Sequence, residues 1–143
     1  IYKFGNIVEY NPSPDSRQIE YIQIHVFCQF GGCPDFRMKI DEFGQMLLQN
    51  ISNTNEEPGM YSSACDPDAL DRIFALANYL RIDKSLQKFG EDNADKTITV
   101  IIQYKDEKYK SWYDYEQGAS LGMIHLYELL LDVKEGASWE FKQ

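Results

Sequence analysis

The stretch that decides the fold runs from Ile19 to Ile51 and reads IEYIQIHVFCQFGGCPDFRMKIDEFGQMLLQNI. Apolar and polar residues alternate clearly in its first two segments and more weakly in its third, which are residues 19–27, 35–41 and 45–51. Alternation with a period of two is typical of strands that bury one face. Short glycine-containing turns separate the segments, so the stretch predicts an antiparallel meander.

The rest of the chain extends this meander with one further strand, two helices and a β-pair. We expect an edge strand near residues 3–10 and a helix that begins at Asp66-Pro67-Asp68, where a capping side chain, a proline and an acid come together. The β-pair is predicted over residues 97–115, and Ser120 is expected to cap the last helix. The order β-β-β-β-α-β-β-α predicts an α+β fold, with two helices on one face of an antiparallel sheet, in a single domain over residues 1–143.

Helices on one face leave the other face of the sheet open to water or to a partner. By alternation, we expect the open face to carry Tyr21, Gln23, His25, Arg37, Lys39, Thr99, Ile101, Gln103, Lys110 and Trp112. Aromatic side chains beside basic ones are enriched at the centres of protein interfaces. Tyr21, His25 and Trp112 are therefore the predicted protein-binding side chains of this face.

The charge balance narrows the class of partner. The chain has 14 basic and 23 acidic residues, which gives a net charge of -9. Binding to the phosphate backbone of nucleic acids depends on Lys and Arg, so we expect no nucleic-acid partner. An acidic protein can attract a basic protein partner. The acids predicted to contribute to such an interface lie in two loops: Glu56, Glu57, Glu91, Asp92 and Asp95.

The three cysteines do not form a recognisable reactive or metal-binding pattern. Cys28 and Cys33 flank the first turn of the meander, where a hairpin disulfide and two reduced thiols are both possible. Cys65 has no histidine placed beside it by the sequence, so we expect an inert thiol rather than a nucleophile. The sequence also lacks paired zinc-ligand motifs and a phosphate-binding loop. We predict no catalytic residue, no metal site and no cofactor.

No apolar stretch approaches the length of about 20 residues that a transmembrane helix needs, so we expect no membrane span. From Ile1 onward there is no basic segment followed by an apolar one, as a signal peptide would have. A cytoplasmic location is the expectation. The alternative is the periplasm or cell envelope, if the native N-terminus carries a signal.

The segment from Ile22 to about Trp139 resembles an uncharacterised family of small bacterial domains that is common in Bacteroidota. The features that carry the resemblance are a strand that ends in a cysteine, a Cys-Gly-Cys-Pro turn with an aromatic residue, and a later glycine turn, here at Cys28, Gly32, Cys33, Pro34, Phe36 and Gly44. Gly59-Met60-Tyr61, a helix, a hairpin and a terminal helix follow. This chain has one more residue between the cysteines than that pattern. The resemblance implies a bacterial α+β domain and no activity.

These features favour a non-enzymatic protein-binding domain. The leading hypothesis is an immunity-type inhibitor that neutralises a bacterial toxin or effector by blocking a basic active site. The alternative is a ligand-binding or scaffold domain of the cell envelope with Cys28 and Cys33 oxidised. A third hypothesis is an enzyme with a site built from His25 and acids. An exposed edge and an aromatic face also make a homodimer possible.

Overall fold

A computed structural model describes residues 1–52, 54, 56–80, 96–115 and 120–142 and, for the backbone alone, residues 88–89. The main feature is a sheet of eight strands: β3 (Ile19–Cys28), β4 (Asp35–Asp41), β5 (Gln45–Ser52), β6 (Gly59–Ala64), β7 (Lys88–Phe89), β8 (Lys96–Tyr104), β9 (Tyr109–Tyr115) and β10 (Glu140–Lys142). Their order across the sheet is β10-β6-β5-β4-β3-β8-β9-β7. The strands pair antiparallel except β7 with β9, which pair parallel.

Two helices complete the fold, α1 (Pro67–Tyr79) and α2 (Leu121–Gly136). The side chain of Asp66 accepts a hydrogen bond from the Ala69 amide at the start of α1, and that of Ser120 accepts one from Met123 at the start of α2. Both caps satisfy amide groups that the helix itself leaves without partners, and both confirm the predicted helix starts.

One hydrophobic core lies between the helices and the sheet. The helices contribute buried side chains such as Ile73, Leu76 and Leu126, and β3 contributes Ile22 and Ile24, both fully buried. The strands β4, β5, β8 and β9 bury alternate residues in the same way. The predicted α+β class, with two helices on one face of an antiparallel sheet, is therefore confirmed.

The N-terminal residues do not form the edge strand that we expected. They form a separate hairpin of two short strands, β1 (Tyr2–Lys3) and β2 (Asn6–Ile7), with positive φ at Phe4 and Gly5 in its turn. The backbone carbonyl of Phe4 lies 2.8 Å from His125 Nε2, so the hairpin is held against α2. The fourth strand before α1 is instead β6, which pairs with β5 on one side and with β10 on the other.

Candidate functional site

The candidate site is the face of the sheet turned away from the helices. We define the open face by the outward-pointing residues of β3, β4, β5, β8 and β9. These residues are Tyr21, Gln23, His25, Phe27, Asp35, Arg37, Lys39, Asp41, Gln45, Leu47, Gln49, Thr97, Thr99, Ile101, Gln103, Tyr109, Ser111, Tyr113 and Tyr115. Both described helices pack against the opposite face, and the open face includes most of the residues that alternation predicted for it.

The open face differs from the rest of the protein in its net charge. Its formal charges are those of Asp35, Arg37, Lys39 and Asp41, two acids and two bases, which sum to zero with neutral histidine. The whole chain carries -9. The excess negative charge therefore lies outside the open face.

Outside the bulge at the start of β3, where Glu20 is exposed, the open face carries no acidic side chain, no lysine and no arginine on β3, β8 and β9. The register places Thr99 directly between His25 and Tyr113, and it places Ile101 beside Ser111. Tyr113 is 48% exposed and Tyr109 is 65% exposed. This part of the face therefore offers rings, hydroxyls and amides, together with the imidazole of His25.

The charged side chains of the open face all belong to β4, the central strand beside β3. His25 Nε2 lies 3.0 Å from Asp35 Oδ1, and the Lys39 ammonium lies 4.3 Å from the centre of the Tyr21 ring. Arg37 is opposite His25 in the register and is exposed. The contact with Asp35 holds the imidazole at the surface of the sheet.

A disulfide joins Cys28 and Cys33 across the turn between β3 and β4, with the two Cα atoms 5.6 Å apart. The amide of Gly31 donates to the Cys28 carbonyl inside the same turn. Since β3 ends at Cys28 and β4 begins at Asp35, the cross-link fixes the end of the open face where Phe27 and Asp35 lie. The alternative left open by the sequence, two reduced thiols, is not the state of this structure.

The prediction that Trp112 and Lys110 lie on the open face is wrong. Trp112 is fully buried and pairs with Val100 on the helix-covered face, where its indole N–H donates to Tyr127 Oη at 2.6 Å. Burial raises the pKa of the Tyr127 hydroxyl well above its usual range. Lys110 lies on the same covered face, 3.2 Å from Asp15. Trp112 is a core residue and cannot anchor a partner at the surface.

The residues that the sequence interpretation missed are the tyrosines on the other side of the same strand. Tyr109 pairs with Gln103, Tyr113 with Thr99 and Tyr115 with Thr97, all on the open face. The strand β9 reads YKSWYDY and carries aromatic rings on both faces, so hydropathy alternation does not reveal its orientation. The turn after Tyr104 sets the register of β9 against β8, and it was the feature of the sequence from which the orientation of β9 could have been predicted.

The acidic loops are only partly described. Glu56 and Glu57 are exposed in the connection between β5 and β6, and the hydroxyl of Tyr61 donates to the Glu57 carbonyl at 2.8 Å. Burial, together with these two acids, raises the pKa of Tyr61. Glu91, Asp92 and Asp95 lie outside the described residues. The structure therefore brings Tyr21 and His25 together on the open face and places Glu56 and Glu57 in a loop beyond the strand ends.

A cavity of about 690 Å³ lies away from the open face, between β6 and the end of α2, with Met46, Cys65 and Val133 among its lining residues. Cys65 is 8% exposed, and burial followed by the neighbouring Asp66 raises the pKa of its thiol. A raised pKa keeps the sulfur protonated and poorly nucleophilic. Within the described ranges, no cluster of three potential metal ligands occurs.

The fold and the open face define an α+β sheet domain with one covered and one exposed face. The family model for DUF6438, a domain of unknown function, matches residues 21–134, which is most of the chain. The chain belongs to this family. A search of curated proteins found no match. None of the helices in the described part of the chain is long and apolar enough to cross a membrane.

Proposed function

We propose that this protein is a non-enzymatic protein-binding domain and that the open face is its binding surface. The observation that carries the proposal is the charge pattern, because a face with no net charge and four tyrosines belongs to a chain of net charge -9. Interface centres are depleted in charged residues and enriched in aromatic ones, whereas ordinary surface is not.

The size of the open face also suits this role. With strands about 4.8 Å apart and a rise of about 3.3 Å per residue, five strands of about seven residues cover on the order of 500 Å². A standard protein interface takes about 800 Å² from each partner. The five strands alone supply more than half of that area, and paired strands present it without a large cost of ordering.

Within this role, an immunity-type inhibitor that blocks the active site of a bacterial toxin or effector is the specific function we favour. The net charge of -9 would attract a basic enzyme over a distance of several ångströms, and the open face would then form the close contact. Glu56 and Glu57 are placed to contribute to the attraction because both are exposed at the loop next to the sheet.

The test is affinity capture from cells of the source organism with three baits: wild type, Ile101→Lys and Leu121→Lys. Ile101 lies in the uncharged part of the open face, whereas Leu121 is exposed at the start of α2 on the other side of the molecule. We expect one stoichiometric protein with wild type and Leu121→Lys and none with Ile101→Lys. A protein retained equally by all three baits would show that the open face is not the binding surface.

Identification of the captured protein then tests the inhibitor function. We expect an enzyme whose activity falls when the purified domain is added in equal amount. A captured protein without enzymatic activity, or an enzyme that stays fully active in the complex, would contradict the inhibitor function while leaving the binding function in place.

The disulfide favours a second candidate, a binding or scaffold domain of the cell envelope. Disulfides persist in oxidising compartments and are rare in the cytoplasm. Lysis of cells directly into denaturant that contains a thiol-alkylating reagent, followed by mass spectrometry of the unreduced protein, distinguishes the two settings. Protected Cys28 and Cys33 with a modified Cys65 would support the envelope, and alkylation of Cys28 and Cys33 would support the cytoplasm.

A further inference from the structure

The charges at the centre of the open face are positive, whereas the net charge of the whole protein is negative. The adjacent strands β4 and β3 form the central pair of the sheet, with three strands on either side of the pair. Arg37 and Lys39, in the middle of β4, therefore lie at the centre of the sheet. His25 and Gln23 face them from β3, and Gln49 pairs with Arg37 from β5. The polar side chains that face Arg37 and Lys39 from the neighbouring strands are therefore an imidazole and two neutral amides.

The two carboxylates on the same strand are already bound within the protein. Asp35 contacts His25, and Asp41 Oδ1 accepts hydrogen bonds from the amides of Phe43 and Gln45 in the next turn, both at 2.9 Å. Among the residues that the structure describes, no carboxylate lies within ion-pair distance of Arg37. Arg37 is exposed at the centre of the face, and the acid two residues before it, Asp35, contacts His25 instead of the guanidinium.

We infer that the protein partner presents an aspartate or glutamate side chain to Arg37. This inference rests on the proposed function, since it names the chemistry that the open face selects. Arginine is among the residues that dominate binding energy, and such residues cluster near the centre of an interface with near-neutral contacts around them. A carboxylate matches the guanidinium in a two-bond geometry, and His25 and Gln49, which pair with Arg37 on the neighbouring strands, would lie on either side of the ion pair.

The lysine beside it supports the same chemistry. The Lys39 ammonium is held above the Tyr21 ring, so its charge stays on the open face, two residues along the strand from Arg37, instead of extending into solvent. Arg37 and Lys39 carry like charges, lie two residues apart on the same face of β4, and repel each other in the free protein. An incoming carboxylate relieves that repulsion, whereas a basic group at the same point would increase it.

The experiment is selection of random dodecapeptides displayed on phage against immobilised wild-type domain. The net charge of -9 alone would enrich lysine and arginine, so enrichment of aspartate or glutamate is a result that only a local site explains. Selected peptides are then synthesised and measured against Arg37→Glu, with Arg72→Glu as the matched control on the exposed side of α1. We expect a loss of affinity of about tenfold or more with Arg37→Glu and little change with Arg72→Glu.

Each other outcome overturns the inference in a distinguishable way. Enrichment of basic peptides, or no enrichment, contradicts an acidic partner group. Acidic peptides that lose affinity with Tyr113→Ala but keep it with Arg37→Glu would overturn the role of Arg37 and leave the open face as the binding surface. Acidic peptides that keep their affinity for all of these variants bind elsewhere and count against both this inference and the proposed function.

Discussion

The two faces of one sheet, formed by alternate residues of the same strands, differ in almost every physical property. The helix-covered face buries Ile22, Val100 and Trp112 completely, whereas the open face exposes Tyr113 and Arg37. The covered face follows from the hydrophobic effect, because its side chains are removed from water and fix the fold. Stability does not require the open face to carry tyrosines and so little charge, so a comparison between the faces separates what maintains the fold from what is available for binding.

The largest expected effect comes from truncation of Trp112 on the covered face. Trp112→Ala removes a fully buried ring and its hydrogen bond to Tyr127, so we expect a loss of about 3–5 kcal/mol in the free energy of unfolding. Urea denaturation followed by circular dichroism measures it, and Trp112→Phe should lose less. A loss below about 1 kcal/mol would show that the strand is oriented with Trp112 on the open face after all.

The disulfide affects both faces of the sheet because it cross-links the end of β3 to the turn that leads into β4. Replacing Cys28 and Cys33 together by serine opens a short loop, for which chain entropy predicts a loss of about 2 kcal/mol in unfolding free energy. Cys65→Ser serves as the control, since that thiol forms no cross-link. Equal midpoints of denaturation for oxidised wild type and the double variant would contradict a stabilising cross-link.

A smaller effect is expected from Asp15, which contacts Lys110 at the edge of the covered face. Asp15 contacts Lys110 and forms an ion pair with Arg17 at 2.7 Å, and the Arg17 guanidinium holds the pKa of Asp15 well below its usual range. A lowered pKa adds stability above the unfolded value near 4, and this stability is lost as the pH falls below it. We expect Asp15→Asn to cost about 1 kcal/mol at pH 7.

The check on this prediction is denaturation across a range of pH. The difference between wild type and Asp15→Asn should shrink as the pH falls below about 4, because Asp15 of the unfolded chain then binds a proton that folding must release. A difference that stays constant down to pH 2 would mean that the contacts of Asp15 do not depend on its charge.

The smallest expected effect on stability belongs to the open face. Tyr113→Ala should change the unfolding free energy by less than about 0.5 kcal/mol, because the ring is 48% exposed and lies outside the core. Under the proposed function, the same substitution weakens capture of the partner. A loss of several kcal/mol would instead assign Tyr113 to the core and remove the contrast between the faces.

The sequence predicted the parts of this fold that carry a regular pattern. The strand β3 from Tyr21 onward and the strand β4 alternate strictly, and both helix starts carry a capping residue, so their positions follow from local chemistry. The strand β6 reads GMYSSA and has no clear alternation, and its pairing with β10 joins residues far apart in the chain, so neither was predicted as a strand. Only tertiary contacts define them.

The candidate site was predictable to the same limited extent. Tyr21, His25, Arg37 and Lys39 were placed correctly on the open face because their strands alternate, whereas Trp112 was not. A shift of one residue in β9 exchanges every side chain between the faces. The absence of formal charge at the alternating open-face positions of β3, β8 and β9 became visible only when the register joined strands from two distant parts of the chain.

The pairing of β3 with β8 also determines when a nascent chain acquires this surface. Neighbouring strands of the meander β3 to β6, and the hairpin of β8 and β9, are joined by short connections and can form early, but Cys28 pairs with Lys96 and Ile19 with Tyr104 only after a long loop closes. Long-range pairing of this kind is slow relative to hairpin formation. Because that seam runs between His25 and Thr99, a partly folded chain does not present the complete open face. Under the proposed function, recognition would therefore be confined to molecules that have finished folding.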